Sequence, residues 1–344
     1  MLIFCLESRE TMGTPDGSGL LASMDTWRQA LRNGQGWNLV RHLKAGRPKR
    51  RMIRAALLTS MAAFLAGHTP ARADDWQVET IDGVRAAIVM PARQSPAPTV
   101  IVLHGATISA ELTARWSGFA EAASVHGFAA AFPEGIDRLW NDARGDKLSS
   151  SDDVGFLRRL NEQLVTRGVA DPAHVYIAGI SNGGMMTLRM LCEAPELYAG
   201  AATVIANMPA ETGASCRLKK PMPVVMFNGT ADPLVPYQGG GVGFAGSRGK
   251  VWAAERTAAF IARANGCSGP DEQPVGGPGG GPIKVMRLDW AGCSSGQTVT
   301  LYRVEGGGHQ LFGHTNILPM IFGPGTTQVS APEIIMAMFA RQHR

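Results

Sequence analysis

Residues 179–183 read Gly-Ile-Ser-Asn-Gly, set between an apolar run, Val175-Tyr176-Ile177-Ala178, and an apolar-periodic stretch beginning at Met185. A G-x-S-x-G segment in that setting is a sharp strand-to-helix turn that lifts a serine hydroxyl above the end of a sheet. The turn holds its serine in a strained backbone conformation and brings the helix close against the strand. Only small residues fit beside such a crossing, which gives Gly179, Gly183 and Gly184 a steric reason to be there. The pattern thus demands a strand before Ser181, a helix after it, and a sheet to carry both. It makes Ser181 a candidate nucleophile, which needs a base and an acid from elsewhere in the chain. A glycine-serine loop without chemistry is the competing reading, since glycine is 42 of 344 residues and chance matches arise.

The remainder reads as strands alternating with helices, the order that builds a mostly parallel sheet with helices on both faces. Residues 84–90 are expected to form an early antiparallel edge strand. Residues 99–103, Thr-Val-Ile-Val-Leu, are a continuous apolar run suited to a strand buried on both faces. A helix is expected over 112–126 and a strand over 128–132. Residues 152–167 place Val154, Phe156, Leu157, Leu160 and Leu164 at helical spacing behind an acidic first turn. The helix after Ser181 should run to about Glu193. Further strands are expected at 201–205, 223–227 and 298–304, and a last helix at 332–341. Two stretches break the pattern. Residues 233–250 are rich in glycine and are expected to loop over the top of the sheet, and the Gly/Pro tract 276–282 reads as an exposed insertion. No linker leads into a second domain, so no separate polymer-binding module is expected.

The net charge of +5 belongs to the front of the chain. Residues 1–73 hold 11 of the 33 Lys+Arg and 4 of the 28 Asp+Glu, which leaves the remainder at −2. Neither a nucleic-acid partner nor an anionic membrane surface follows from such a distribution. The basic segment 47–54, the apolar run 55–67 and the ending Ala71-Arg72-Ala73 parse as a signal peptide with an A-x-A cleavage pattern. The apolar run is shorter than the roughly 20 residues a membrane span takes. Met52 sits where such a peptide should begin. Residues 1–51 are thus expected to be an upstream extension, 52–73 the signal peptide, and 74–344 the catalytic domain of an exported protein, periplasmic or extracellular.

Cys5 falls in the leader, leaving Cys192, Cys216, Cys267 and Cys293. Four cysteines allow three pairings. The local ones, Cys192–Cys216 and Cys267–Cys293, are favoured over four free thiols, which an oxidising compartment disfavours. No C-x-x-C pair or His/Cys spacing points to a metal, and no cofactor is expected.

In an α/β-hydrolase the serine is followed in chain order by an acid and then a histidine. Asp232 lies in Phe227-Asn228-Gly229-Thr230-Ala231-Asp232-Pro233, directly after Val224-Val225-Met226, and His309 follows Leu301-Tyr302-Arg303-Val304 through Glu305 and three glycines. The imidazole would take the serine proton and later return it to the leaving group, while the carboxylate fixes the imidazole tautomer. Asp232 before a proline is also an ordinary turn residue, and His314 is a rival base. Asp142, Asp152 and Asp153 precede Ser181, which chain order disfavours. His126 and His174 read as structural. The oxyanion hole should combine the backbone N–H of Asn182 with that of Ala106 or Thr107 in the loop after 99–103. His104 is expected to brace that loop.

These residues resemble the secreted α/β-hydrolase esterases of the polyhydroxybutyrate depolymerase and feruloyl esterase type. The resemblance rests on Leu103-His104-Gly105, Trp140-Asn141-Asp142, 152–157, 178–186, 228–237, Asn265-Gly266-Cys267 and 306–309, in order along most of the chain. It implies a serine esterase with Ser181, Asp232 and His309 as its triad, whose partner is an ester substrate of small or oligomeric size. Hydroxyalkanoate esters lead as substrate, with feruloyl or acetylxylan esters as the alternative. An acyltransferase, a peptidase or a non-catalytic binding protein are further readings of the same scaffold. One departure stands out: many relatives follow the histidine with an aromatic-Pro-Gly segment, whereas this chain has Gln310-Leu311-Phe312-Gly313.

Overall fold

A ten-stranded sheet runs through the computed structural model, which describes residues 76–83, 85–145, 149–276, 283–314 and 318–343. The strands are β1 (Gln77–Thr80), β2 (Ala86–Met90), β3 (Ala97–Leu103), β4 (Ala129–Pro133), β5 (Ala170–Ile180), β6 (Gly200–Val204), β7 (Val224–Gly229), β10 (Pro270–Val275), β11 (Lys284–Trp290) and β12 (Val299–Glu305). Their order is β1-β2-β4-β3-β5-β6-β7-β12-β11-β10. From β4 to β12 every neighbouring pair is parallel, and antiparallel pairs close both edges. A separate two-stranded ribbon, β8 (Gly240–Gly241) with β9 (Lys250–Val251), lies in the glycine-rich stretch.

The apolar run of β3 sends alternate side chains to opposite faces, as the period of a strand requires. Ile101 and Leu103 join a core that includes Phe156, Leu157, Leu160, Met186 and Ile261. Val100 and Val102 join the other, with Phe119, Phe132, Ile335 and Phe339. The first face is covered by α3 (Asp153–Thr166), α4 (Asn182–Glu193) and α6 (Ala254–Ala264), the second by α1 (Ala110–Trp116), α2 (Phe119–Val125) and α8 (Ala331–His343). Burying a side chain of this size contributes about 1.5–3 kcal/mol, so the parallel centre of the sheet is firmly held. That centre carries the site. Two short helices, α5 (Ala210–Ser215) and α7 (Pro319–Phe322), complete the described elements.

Several expectations change. The helix expected over 112–126 is two helices broken at Ser117–Gly118, where Gly118 has φ +75° and a Cβ would run into the His314 ring. The strand expected at 84–90 is β2, yet it is not the edge, because β1 pairs outside it; Val84 lies outside the described residues. α6 and the hairpin β10–β11 have no counterpart in the sequence reading. The tract 276–282 joins β10 to β11, and 277–282 lie outside the described residues, as do 1–75, with the leader and signal segments.

The structure joins Cys192 to Cys216 and Cys267 to Cys293, at sequence separations of 24 and 26. Chain-entropy models assign loops of that size about 3 kcal/mol each. The first bridge ties the far end of α4 to the end of α5. Among the described residues no helix is long and apolar enough to cross a membrane.

Candidate active site

Ser181 sits between β5 and α4 with φ 53° and ψ −117°, a conformation that L residues rarely adopt. Backbone bonds over-determine it: the Ser181 N–H donates to Val204 O at 2.9 Å, and its carbonyl accepts from Met185 N at 3.0 Å. A Cβ on Gly183 would strike the Leu103 and His104 carbonyls, and one on Gly179 would strike Gly183. The glycines are there because helix and strands cross too closely for any side chain.

His309 and Asp232 come to this serine from turns stitched to each other. Thr230 N donates to Val304 O at 2.9 Å, Ala231 N to Gly307 O at 2.8 Å, and Gly306 N to Thr230 Oγ1 at 2.8 Å. The result is a continuous relay. Ser181 Oγ lies 3.0 Å from His309 Nε2, and His309 Nδ1 lies 2.8 Å from Asp232 Oδ2. Asp232 Oδ1 accepts from Leu234 N and Val235 N, both at 2.8 Å. Asp232 is therefore both the turn residue that its proline neighbour implied and the partner of His309. With the carboxylate side chain only 2% exposed, nothing competes for that orientation. His314 is not at the serine; it lies against Gly118. His126 faces Glu333 and His174 bonds Asp171, each away from Ser181.

In the loop after β3 the two oxyanion candidates differ in their bonding. Thr107, at φ 67°, donates its N–H to Arg138 O at 2.9 Å, so that donor is committed. Among the described residues the N–H of Ala106 and that of Asn182, the first residue of α4, meet no acceptor.

Buried side chains hold Asn182 and the turn beside it in place, and of these Arg85 and Arg144 went unnoticed in the sequence. Asn182 accepts from Trp140 N at 2.8 Å and donates to Trp140 O at 3.0 Å and Asp142 Oδ2 at 2.7 Å. Asp142 is in turn paired with Arg144 at 2.9 Å, and Arg144 donates to Arg248 O in the glycine-rich stretch. Asp153 accepts from Asn141 N at 2.6 Å and is paired with Arg85 at 2.6 Å, fixing the next link of the same loop. Trp140-Asn141-Asp142 and Asp152-Asp153 were visible as motifs, but their role is structural support rather than proton transfer.

His104 is fully buried. Its Nδ1 donates to Gly105 O at 2.8 Å and its Nε2 accepts from Gly135 N at 2.9 Å, so both nitrogens are occupied by the neutral ring. Burial lowers its pKa to about 4 from 6.5. Glu134 beside it is raised, also by burial. The folded value of His104 is below the unfolded one, so its contribution is complete above about pH 6.5 and is lost as pH falls towards about 4. A shift of that size corresponds to about 3 kcal/mol at most. Glu134 opposes it, because a raised carboxyl costs stability at neutral pH and the cost is relieved on acidification. Urea unfolding between about pH 7 and about pH 4.5 should therefore show a falling free energy that flattens in His104→Gln. Equal slopes in both proteins would contradict this assignment.

A relay of serine, histidine and aspartate on a strand–helix elbow of a largely parallel sheet is the arrangement of an α/β-hydrolase. NocK of Nocardia uniformis subsp. tsuyamanensis, named as an esterase, is 32% identical over 303 residues, covering 83% of this chain and 83% of that protein. Feruloyl esterase B of Piromyces equi is 29% identical over 229 residues, 62% of this chain and 39% of that protein. Poly(3-hydroxybutyrate) depolymerase of Ralstonia pickettii is 29% identical over 159 residues, 40% of this chain and 33% of that protein. A prolyl oligopeptidase family model matches residues 158–212, which span the elbow. The chain belongs to the α/β-hydrolase esterases, a family of serine hydrolases acting on carboxylic esters.

Proposed function

We propose that Ser181, His309 and Asp232 are the catalytic triad of an exported esterase that cleaves hydroxyalkanoate esters or their oligomers. The observation that carries the triad is the unbroken hydrogen-bond chain from Ser181 Oγ through the His309 ring to Asp232. Ser181 Oγ attacks the ester carbonyl carbon as its proton passes to His309 Nε2. The carbonyl oxygen, now an oxyanion, accepts from the Ala106 and Asn182 N–H groups, while Asp232 stabilises the imidazolium. The C–O bond to the alcohol then breaks, and His309 returns the proton to the departing alkoxide. Water, deprotonated by His309, attacks the acyl-enzyme and releases the acid by the same steps in reverse. Two disulfides support export of a mature domain spanning 74–344, with 52–73 as its signal.

The relatives' names divide between hydroxybutyrate polymer and feruloyl ester, so the substrate is tested directly. Methyl ferulate, acetylated xylan and soluble 3-hydroxybutyrate oligomers should be compared at equal enzyme, with p-nitrophenyl acetate as the activity standard. The expected result is a kcat/KM on the oligomers at least about tenfold above either plant ester, the size of discrimination that a few apolar contacts supply. Preferential release of ferulate or acetate would move the enzyme to plant-polysaccharide esters. Cleavage of a prolyl peptide with no ester turnover would move it to peptidases.

A further inference from the structure

We infer that two apolar lips around Ser181 bind the extended aliphatic chain of an oligomeric ester, and that Phe244, Met320 and Ile321 read its length. The inference rests on the triad reading above. Ten large apolar side chains are exposed among the described residues, and four of them, Phe244, Leu318, Met320 and Ile321, lie in the two stretches tied to the acid and histidine turns. Ile108, exposed in the loop after β3, lies beside Gly105, which itself faces Ser181, and forms the other lip. Phe244 lies between β8 and β9, and Leu318, Met320 and Ile321 follow β12, on the side of His309. Scattered exposed apolar groups need no explanation, but a cluster confined to one rim does.

The second lip is bonded directly to the candidate base. His309 N donates to Phe322 O at 2.6 Å and Gly308 N to Pro324 O at 2.7 Å. Gln310 is buried, and its amide donates to Gly323 O at 2.9 Å. The departure after the histidine now has a physical consequence. Gln310 and Phe312 point inward, and the exposed apolar surface beside His309 is supplied by 318–322 instead. Phe244 reaches across from the glycine-rich stretch to stack on Phe322, with centroids 6.5 Å apart. That stretch is itself held against the acid turn, since Gly243 N donates to Leu234 O at 2.8 Å.

The chemistry of the second lip selects the ligand. Residues 318–323 and 238–247 contain no charged side chain, and Met320 is 100% exposed. Sugar hydroxyls laid on such a surface would lose water without gaining partners, which is costly. The methyl and methylene groups of an aliphatic ester chain gain from the same burial.

The test is the ratio of kcat/KM on soluble 3-hydroxybutyrate oligomers to that on p-nitrophenyl acetate, which is independent of the fraction of active enzyme. Met320→Asp and Phe244→Ser should each lower the ratio about tenfold, the loss expected from a few methylene-sized contacts. Val78→Asp, exposed on β1 and remote from the relay, should leave the ratio at the wild-type value. Ratios within about twofold of wild type in both rim variants would overturn the inference while leaving the triad intact. Loss of binding to phosphatidylcholine vesicles with an unchanged ratio would assign the rim to a lipid surface and overturn it too. A wild-type protein inert on both esters would instead take away the triad reading on which it rests.

Discussion

Replacing Ser181 by alanine is expected to lower kcat on p-nitrophenyl acetate by about 10⁴- to 10⁶-fold, as triad deletions do elsewhere. The substitution is unusually clean here. The bonds that hold residue 181 are backbone bonds to Val204 and Met185, so alanine keeps them. Alanine also keeps the Cβ, so the strain of φ 53° is the same in both proteins. What is removed is the one oxygen that meets His309 Nε2. The thermal midpoint should stay at the wild-type value while turnover collapses. A residual rate within about tenfold of wild type would remove Ser181 from the mechanism.

Asp232→Asn is expected to cost about 10⁴-fold in kcat with little change in the fold, and the hydrogen bonds around it say why. One side-chain oxygen at this position must accept from the Leu234 and Val235 N–H groups. An asparagine satisfies them only by placing its oxygen there, which turns its NH₂ towards His309 Nδ1. That nitrogen must then be an acceptor, so the ring proton moves to Nε2, where it faces Ser181 Oγ. The imidazole is left in the tautomer that cannot take the serine proton. Steady-state kinetics should show the loss in kcat with KM largely kept, because nothing that touches the substrate has changed. A loss of less than about a hundredfold would mean that Asp232 is only the turn residue its proline suggests.

The legible parts of this molecule were those written over a few adjacent residues. The elbow at 179–183, the acid turn at 228–233 and the glycines before His309 are each local demands of backbone geometry, and local demands leave local signatures. The buried β3 run was readable for the same reason. Supports assembled across the chain were not. Arg85 and Asp153 are 68 residues apart, and nothing in either neighbourhood announces the other. α6 was legible and was passed over: Ala254, Thr257, Ala258, Ile261 and Ala262 recur at helical spacing opposite Glu255, Arg256 and Arg263, but the stretch lies between two glycine-rich segments that drew the reading towards loops. The break at Gly118 was hidden inside a stretch that is alanine-rich and helical on both sides. The bond that occupies the Thr107 N–H comes from the carbonyl of Arg138, in a turn where Asp137 and Arg138 both have positive φ, and nothing near Thr107 announces it. The apolar lip at 318–322 depends on which side chains turn inward after His309, and only packing decides that.

The central claim is that the Ser181 hydroxyl, activated by His309, becomes acylated. It is tested most directly by reacting the protein with a fluorophosphonate and locating the adduct by mass spectrometry of the digested chain. A single adduct on the peptide containing Ser181, absent from Ser181→Ala and slowed in Asp232→Asn, is the predicted result. An adduct on another residue, or ester hydrolysis that survives with Ser181 unlabelled, would contradict it.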